Sequence, residues 1–442
     1  MLKIVKSSYR TKEECVISNI RIIDALMGTG KSTYAINQLI NASNNFGEKK
    51  FLCVLPTLNE CERYRDSINA EISSPECWGT KQNHLQHLIT SGKNIATTHA
   101  LIANATETTL ELLSQSNYTL IIDECLDVVH KYKKITNSDI QTLFSGKYVT
   151  LDKNNFLVWN NEKYEEYDGR FNDVRRLCNM KSLMAYKTLS GELSKILIWN
   201  FPVEFFNFFN SSYILTYYWN GSVQKCYFDL HNVEYQHLTL LDNNLSQYNE
   251  KLEIEKRKNI ASLINIYEGK LNDIGKKIGR INPLCKSWYV KHKKIDNGYL
   301  IKKIKNNLEN YFIHVMNSPS ADNMYTTFES FEQMVKGKSY SKGFVPCNSK
   351  GTNDYRNKKV LAYTINLFPN KEVLDFFKYN NIEINQDLYS LCELLQWIWR
   401  SQIRDGKPIN IYIPSERMRF LLMLWMQGKE MNEIVYDKNI AA

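Results

Sequence analysis

The chain contains 442 residues, which is long enough for two domains of roughly 200 residues each. Its 56 lysines and arginines outnumber its 47 aspartates and glutamates, so the formal charge of +9 permits a nucleic-acid partner without requiring one. The ten cysteines form no C-x-x-C pair, the first residues lack the apolar core of a signal peptide, and no apolar run approaches the ~18 residues of a membrane span. The sequence therefore predicts a cytoplasmic protein without a disulfide framework, a zinc site or a membrane anchor.

The first predicted strand, over residues 18–24, leads into a glycine-rich segment that reads Ala-Leu-Met-Gly-Thr-Gly-Lys-Ser-Thr. Glycines allow a tight turn whose backbone N–H groups point at phosphate oxygens, and a helix predicted over residues 33–39 aims its N-terminus at the same anion. The lysine can reach the β- and γ-phosphates, and the following serine hydroxyl can ligate magnesium. The residues predicted to hold the nucleotide are Gly28, Thr29, Gly30, Lys31, Ser32 and Thr33.

The second chemical feature is a pair of acids, Asp123 and Glu124, directly after the apolar run 118–122. Such a run is typical of a strand buried in a parallel sheet, and open α/β sheets bind ligands at the carboxyl ends of their strands. We expect Asp123 and Ser32 to hold Mg²⁺, and Glu124 to polarise the attacking water as general base. Strand-terminal acid pairs facing solvent are common, so this interpretation depends on the phosphate-binding loop.

Three more apolar runs in the first half end in polar side chains. Residues 51–57 end in Pro-Thr, residues 94–99 end in Thr-Thr-His, and residues 213–218 contain Thr216, with predicted helices between the runs. This alternation indicates a parallel, doubly wound sheet. The polar groups at its edge suit contact with a nucleic-acid phosphate backbone, although they are also ordinary turn residues. The candidates for that contact are Thr57, Thr97, Thr98 and His99.

The second half contains four predicted strands, near residues 324–328, 343–347, 360–366 and 409–414. A helix is predicted over residues 387–404, and at 100° per residue it places Gln396, Arg400 and Arg404 on one stripe. Two guanidinium groups on one face could contact a γ-phosphate across a cleft, as arginine fingers do, or could form a solvated basic stripe.

The most basic segment lies between the halves. Residues 270–310 contain eleven basic residues against three acids, interleaved with Trp288, Tyr289 and Tyr299. This composition suits a helical arm along a nucleic-acid strand, and it is equally compatible with a solvated helix pair whose aromatic residues pack internally. Trp397 and Trp399, on the predicted arginine-bearing helix, are interpreted as core residues.

Together these motifs resemble those of superfamily 2 DEAD/DEAH-like helicases, and more narrowly those of phage-type proteins related to herpesvirus origin-binding helicases. The segments at residues 25–33, 55–57, 97–99, 123–126 and 215–216 match motifs I, Ia, Ib, II and III. Residues 396–404 resemble motif VI. Four departures are Ala25 where the strict loop pattern has glycine, Asp-Glu-Cys-Leu as motif II, a motif III without the usual small residue and second Thr or Ser, and a second motif VI arginine one position late, at Arg404. The resemblance also implies that residues 350–355 form motif V, with Thr352 and Asn353 contacting nucleic acid.

The resemblance implies an α/β fold of two tandem RecA-like P-loop NTPase lobes with a basic helical insertion. The predicted bounds are 1–235 for the first lobe, 236–310 for the insertion and 311–442 for the second lobe. The implied activity is an ATP- and Mg²⁺-dependent helicase or translocase in phage or plasmid-type replication, acting in the host cytoplasm if phage-encoded. Single-stranded DNA is favoured as partner over RNA, together with replication proteins. The predicted catalytic residues are Lys31, Glu124, Gln396, Arg400 and Arg404.

Two other functions remain open. A nucleoside or nucleotide kinase also combines a phosphate-binding loop with an acidic strand end, but it would leave about half of this chain unexplained. An origin-binding module that uses ATP as a switch, with little unwinding activity, would share the same loop.

Overall fold

The computed structural model of the protein describes residues 19–41, 49–68, 71–77, 79–186, 196–277, 279, 281–295, 297–348 and 354–436. The strands are β1 Ile20–Asp24, β2 Lys50–Leu55, β3 Ile72–Ser73, β4 Asn94–Thr98, β5 Tyr118–Asp123, β6 Val129–Lys131, β7 Val149–Leu151, β8 Leu157–Trp159, β9 Leu183–Met184, β10 Ile198–Asn200, β11 Ser211–Thr216, β12 Gln236–Leu241, β13 Asn244–Gln247, β14 Ile264–Ile266, β15 Asn323–Thr326, β16 Val360–Tyr363 and β17 Ile409–Tyr412. The α-helices are Lys31–Tyr34, Leu58–Ser67, Lys81–Thr90, His99–Ala103, Glu107–Ser114, Asn137–Ser145, Asn161–Tyr164, Asn172–Asn179, Val223–Leu230, Glu250–Ala261, Lys286–Ile295, Tyr299–Asn310, Glu332–Val335, Lys371–Tyr379, Gln386–Ile398 and Glu416–Met426. Among these helices, none combines the length and apolar character that crossing a bilayer requires.

The first lobe is built on an eight-stranded sheet in the order β13-β12-β1-β11-β5-β2-β4-β3. All neighbours are parallel except the hairpin of β12 and β13. The central strands are apolar on both faces, as parallel strands covered by helices must be. Ile22 and Ile122 pack into one layer of the core, whereas Ile23 and Ile121 pack into the layer on the opposite face. This arrangement confirms the predicted doubly wound sheet.

The second lobe has a four-stranded parallel sheet in the order β14-β17-β16-β15. Residues 343–347, predicted as a strand, contribute only an isolated bridge between Phe344 and Tyr325. The basic helices Lys286–Ile295 and Tyr299–Asn310 pack on this sheet through their apolar faces. The two-lobe α/β architecture is therefore confirmed, and the basic segment belongs to the second lobe.

The lobe boundaries differ from those predicted from composition. β12 and β13 extend the first sheet, the helix Glu250–Ala261 follows, and β14 already pairs with β17 in the second sheet. Residues 236–310 are thus divided between the two lobes rather than forming one insertion. The high lysine content suggested a single segment, but charge carries no information about which strands pair. The three residues of β14 are also too few to show the alternation of apolar and polar side chains that marks a strand.

A middle unit, which runs from β6 to β10, lies in the chain between β5 and β11 and was not predicted. It contains the antiparallel strands β6, β10 and β9 and the hairpin of β7 and β8. This unit also contacts the second lobe at the helix Lys371–Tyr379, where Lys131 pairs with Glu372 at 3.5 Å and the Tyr186 ring packs edge-on against Phe376. The lobes are therefore connected both by the chain that crosses between them and by this unit.

Candidate active site

The glycine-rich loop joins β1 to the following helix at the carboxyl edge of the first sheet. Gly28 and Gly30 have φ angles of 80° and 85°, in a left-handed region that residues with a Cβ rarely adopt. Lys31 Nζ donates hydrogen bonds to the carbonyl oxygens of Ala25 at 2.5 Å and Leu26 at 3.2 Å. The loop thus encloses its own ammonium group, as expected of a segment that surrounds phosphate oxygens.

The electrostatic setting of Lys31 is unusual for a lysine. Burial lowers its pKa to about 8, although the carboxylates of Asp24, Asp123 and Glu124 oppose that shift. The side chain is therefore cationic below pH 8 and loses its charge in a range where other lysines keep theirs. Perturbed cations of this kind, placed in a cavity, are characteristic of functional sites.

Asp123 ends β5 and accepts hydrogen bonds from two elements of the first lobe. Ser32 Oγ donates to Asp123 Oδ2 at 2.6 Å, and Tyr64 donates to the same oxygen at 3.0 Å. A hydroxyl and a carboxylate this close supply hard oxygen ligands that fit Mg²⁺. In the part of the chain that the structure describes, no group of three or more His, Cys, Asp or Glu could hold a metal ion alone.

Glu124 has a backbone conformation that glutamate seldom takes. Its φ of 65° lies in the left-handed region, at a cost of roughly 1–2 kcal/mol for a residue with a Cβ. Its N–H donates to the carbonyl oxygen of Leu215 on β11 at 2.9 Å, which fixes the turn. The side chain lines the same cavity as Lys31 and Ser32. Strain of this kind persists where the surrounding structure enforces it, commonly at functional sites.

The second lobe faces this cavity with the arginine segment, residues 386–405. The predicted helix through residue 404 is wrong, because the helix ends at Ile398 and a 3₁₀ turn, Gln402–Asp405, follows. Ser401 Oγ donates to the carbonyl oxygen of Ile398 at 2.6 Å, a local bond that competes with further helix. Gln396, Arg400 and Arg404 nevertheless all line one cavity of about 320 Å³ with the loop.

The two arginines differ in their surroundings. Arg400 is 7% exposed, and its guanidinium lies 3.8 Å from Glu124 Oε1 in the other lobe. Partial burial, together with the positive charges of Arg356 and Arg400, lowers the pKa of Arg404. Arg404 is also the more exposed of the pair. Arg400 is therefore the guanidinium that the structure brings to the acidic strand end.

Four residues that line the cavity or hydrogen-bond to its acids were not predicted as site residues from the sequence: Glu60, Arg63, Tyr64 and Trp399. The first three lie on the helix Leu58–Ser67, where spacings of three and four residues place them on neighbouring faces. Arg63 Nε donates to Glu60 at 2.7 Å, and its guanidinium lies 3.7 Å from Asp123. This spacing of three and four residues, shortly after motif Ia, was the feature of the sequence from which these three residues could have been predicted.

The candidates for nucleic-acid contact have other contacts in the structure. Thr57 and Thr98 cap helices by accepting from the N–H groups of Glu60 and Leu101. Thr97 is 1% exposed, so the prediction that it contacts a strand is wrong: the alternation of β4 turns its side chain into the core. His99 Nε2 lies 2.9 Å from the carbonyl oxygen of Asp123, beside the nucleotide cavity. Thr352 and Asn353 lie outside the described residues.

Motif III leads into a buried polar network between the lobes. Tyr217, directly after Thr216, donates to Glu253 at 2.6 Å and accepts from Trp425 Nε1 at 2.8 Å. Arg257, which is fully buried, forms an ion pair with Glu253 and donates to the carbonyl oxygen of Lys429 at 3.0 Å. The carboxyl end of β11 is thereby connected to the C-terminal helix of the second lobe.

A second cavity, of about 1170 Å³, opens beside the second sheet. Its lining includes segments that directly follow β15 and β16 and one side of the basic helix Lys286–Ile295. The charged residues in its lining are four lysines and two glutamates: Lys286, Lys291, Lys294, Lys371, Glu329 and Glu393. Trp288 and Tyr289 are buried on the other side of that helix, which assigns them to the core, whereas Tyr299 is exposed.

Comparisons with known proteins agree with this architecture. A family model described as the YonV C-terminal Rossmann-like domain matches residues 258–426, one described as the YonV middle domain matches 129–199, and one described as the res subunit of type III restriction enzymes matches 11–148. The SPbeta prophage-derived uncharacterized protein YonV of Bacillus subtilis (strain 168) is 36% identical over 428 residues, which cover 93% of this chain and 100% of that protein.

Solved structures extend the comparison to the whole fold. The structure titled XPD_APO has a TM-score of 0.50 at 13% identity and covers 93% of this chain and 95% of its own. Xpd4 of S. tokodaii has a TM-score of 0.48 at 9% identity, with 94% and 95% covered. The resemblance to superfamily 2 DEAD/DEAH-like helicases is confirmed, whereas the narrower relation to herpesvirus proteins stays a prediction.

Proposed function

The chain belongs to the YonV family, and on that premise we propose that it is an ATP-driven motor that moves along nucleic acid. The observation that carries the proposal is the 3.8 Å approach of Arg400, from the second lobe, to Glu124, at the acidic strand end of the first. A site completed by both lobes can couple the state of the nucleotide to the position of the lobes.

The proposed roles follow from the cavity. The loop N–H groups and Lys31 bind the phosphates, and Ser32 and Asp123 hold Mg²⁺, which would neutralise charge on the phosphate oxygens. Glu124 orients and deprotonates the attacking water, and Arg400 stabilises negative charge that develops on the transferred phosphoryl group. Gln396 and Arg404 support the arginine segment at the cavity wall.

The proposed partner is single-stranded DNA, with RNA as the alternative. The second cavity supports a single-stranded nucleic acid of either kind, because its lysines can neutralise phosphates and its lining includes the aromatic residues Phe328 and Tyr389. Thr352 and Asn353 remain proposed contacts through the resemblance to motif V. The relative in Bacillus subtilis is described as prophage-derived, which supports a phage origin for this chain. A role in phage DNA replication, with replication proteins as partners, is proposed from the resemblance of the motifs alone.

A nucleotide kinase is less well supported, because it would leave the second half of the chain without a role. In this structure that half forms a lobe whose Arg400 approaches the acids of the first lobe. An ATP switch with little unwinding activity would use the same cavity. It differs from the motor in that it binds nucleic acid without separating the strands.

ATP hydrolysis measured with no polymer, single-stranded DNA, duplex DNA and RNA tests the proposal. We expect single-stranded DNA to stimulate turnover most. Phosphate transferred to a nucleoside rather than released would instead indicate a kinase. Tight binding of one duplex sequence without strand separation would indicate the switch, and no hydrolysis under any condition would refute the motor.

A further inference from the structure

Trp399 lies at the end of the helix Gln386–Ile398, one residue before Arg400, and lines the nucleotide cavity. It is 8% exposed, which fits the core role predicted from the sequence. Its indole ring, however, sits against the phosphate-binding loop of the other lobe. The position that a Cβ on Gly28 would take lies 3.3 Å from Trp399 Nε1, so the absence of a side chain at Gly28 makes room for the indole nitrogen.

The indole N–H is a buried donor without an acceptor among the described residues. Such donors are uncommon because burial removes water and nothing replaces it. Two other buried tryptophans of the second lobe have acceptors: Trp397 Nε1 donates to the carbonyl oxygen of Val345 at 3.1 Å, and Trp425 Nε1 donates to Tyr217 at 2.8 Å. Trp219 Nε1 is also without an acceptor, but it lies in the core of the first lobe and lines neither described cavity.

The neighbours of Trp399 indicate which ligand atom would accept this bond. Lys31 and the loop surround the phosphates from the first lobe, whereas Trp399 and Arg400 approach from the second. Arg400 approaches Glu124, which is proposed to orient water at the γ-phosphorus. The phosphate that faces both Glu124 and the second lobe is the terminal one.

We propose that Trp399 Nε1 donates a hydrogen bond to the terminal phosphate of a bound nucleoside triphosphate. This inference rests on the proposed function and adds to it a means by which the second lobe distinguishes the triphosphate from the diphosphate. A diphosphate offers no oxygen at that position, so the same residue contributes nothing to its binding.

The matched variants are Trp399→Phe, which keeps a ring and removes the donor, and Trp397→Phe, which removes a satisfied donor two residues away. Calorimetric titration with the magnesium complexes of a non-hydrolysable ATP analogue and of ADP gives both affinities. We expect Trp399→Phe to weaken analogue binding about tenfold and ADP binding less than about twofold, as the loss of one bond to a charged oxygen implies. Trp397→Phe should lower thermal stability and leave the ratio of the two affinities unchanged.

Three results would overturn the inference: an unchanged ratio in Trp399→Phe, equal weakening of both ligands, or the same change of ratio in Trp397→Phe. If the wild-type protein binds neither nucleotide, the proposed function itself fails. Should Trp399→Phe not fold, wild-type protein labelled with ¹⁵N at the indole nitrogens replaces it. One indole N–H resonance should then move downfield with the analogue and not with ADP, and a spectrum without such a shift would also overturn the inference.

Discussion

The two walls of the nucleotide cavity are built differently. The first lobe fixes its polar side chains to one another, with Ser32 and Tyr64 both donating to Asp123 at 2.6 and 3.0 Å. The second lobe presents Arg400 from beyond a helix end, and its guanidinium meets Glu124 at 3.8 Å, longer than a hydrogen bond. The first wall is therefore preorganised, whereas the contribution of the second depends on how the lobes sit together.

Removing Lys31 tests the first wall with the largest expected effect. Lys31→Ala deletes the cation that the loop encloses, so steady-state ATP hydrolysis should fall at least about 10³-fold, with weaker nucleotide binding. Lys93→Ala removes a lysine that pairs with Glu71 at the surface and serves as control. Normal turnover by Lys31→Ala would remove the assignment of the loop.

Arg400 and Arg404 form a matched pair for the second wall. Arg400→Ala should lower kcat by about 10³-fold, because an arginine finger stabilises charge that appears in the transition state. Arg404→Ala should lower kcat less than about tenfold, since Arg404 is the more exposed of the two and Arg400 is the one that lies 3.8 Å from Glu124. The comparison is made at saturating ATP with single-stranded DNA present. Equal losses in the two variants would contradict the distinction between them.

Glu124→Gln separates chemistry from binding within the first wall. The amide cannot take a proton, so kcat should fall about 10²-fold while the ATP affinity is retained. The variant should remain bound to both ATP and DNA, which a filter-binding or anisotropy assay would detect. A kcat close to that of wild type would show that another group acts as the base.

The pH profile gives a smaller and graded effect. In the proposed mechanism Lys31 binds phosphate as the ammonium ion, and burial has lowered its pKa to about 8. As pH rises through 8 the charge is lost, so kcat/KM for ATP should fall up to about tenfold per pH unit. Because bound phosphates favour the ammonium form, kcat at saturating ATP should decline only at higher pH. A flat kcat/KM profile between pH 7 and 9.5 would contradict this role.

The sequence predicted the phosphate-binding loop and the acidic strand end of the first wall for a physical reason. The loop needs glycine at two left-handed positions, and β5 needs apolar side chains on both faces, so each requirement appears directly in neighbouring residues. Trp399 could not be recognised because the function proposed for it depends on an unsatisfied N–H, and a sequence does not show which buried donors find acceptors.

The arginine segment illustrates the limit of periodicity. Helical spacing placed Gln396, Arg400 and Arg404 on one stripe, and the three do line one cavity although the helix ends at Ile398. A single hydroxyl, on Ser401, favours that ending, and its effect is too local to appear in a pattern. The middle unit was missed for the same reason, since its strands of two or three residues show no alternation.

The contact between the middle unit and the helix Lys371–Tyr379 has a mechanical consequence. The lobes are thus held together by the connecting chain, by this contact and by the shared apolar cluster in which Leu26 and Tyr217 of the first lobe pack with residues of the second. Spreading the lobes therefore requires either that the Lys131–Glu372 pair opens or that the middle unit pivots on its own connections to the first sheet.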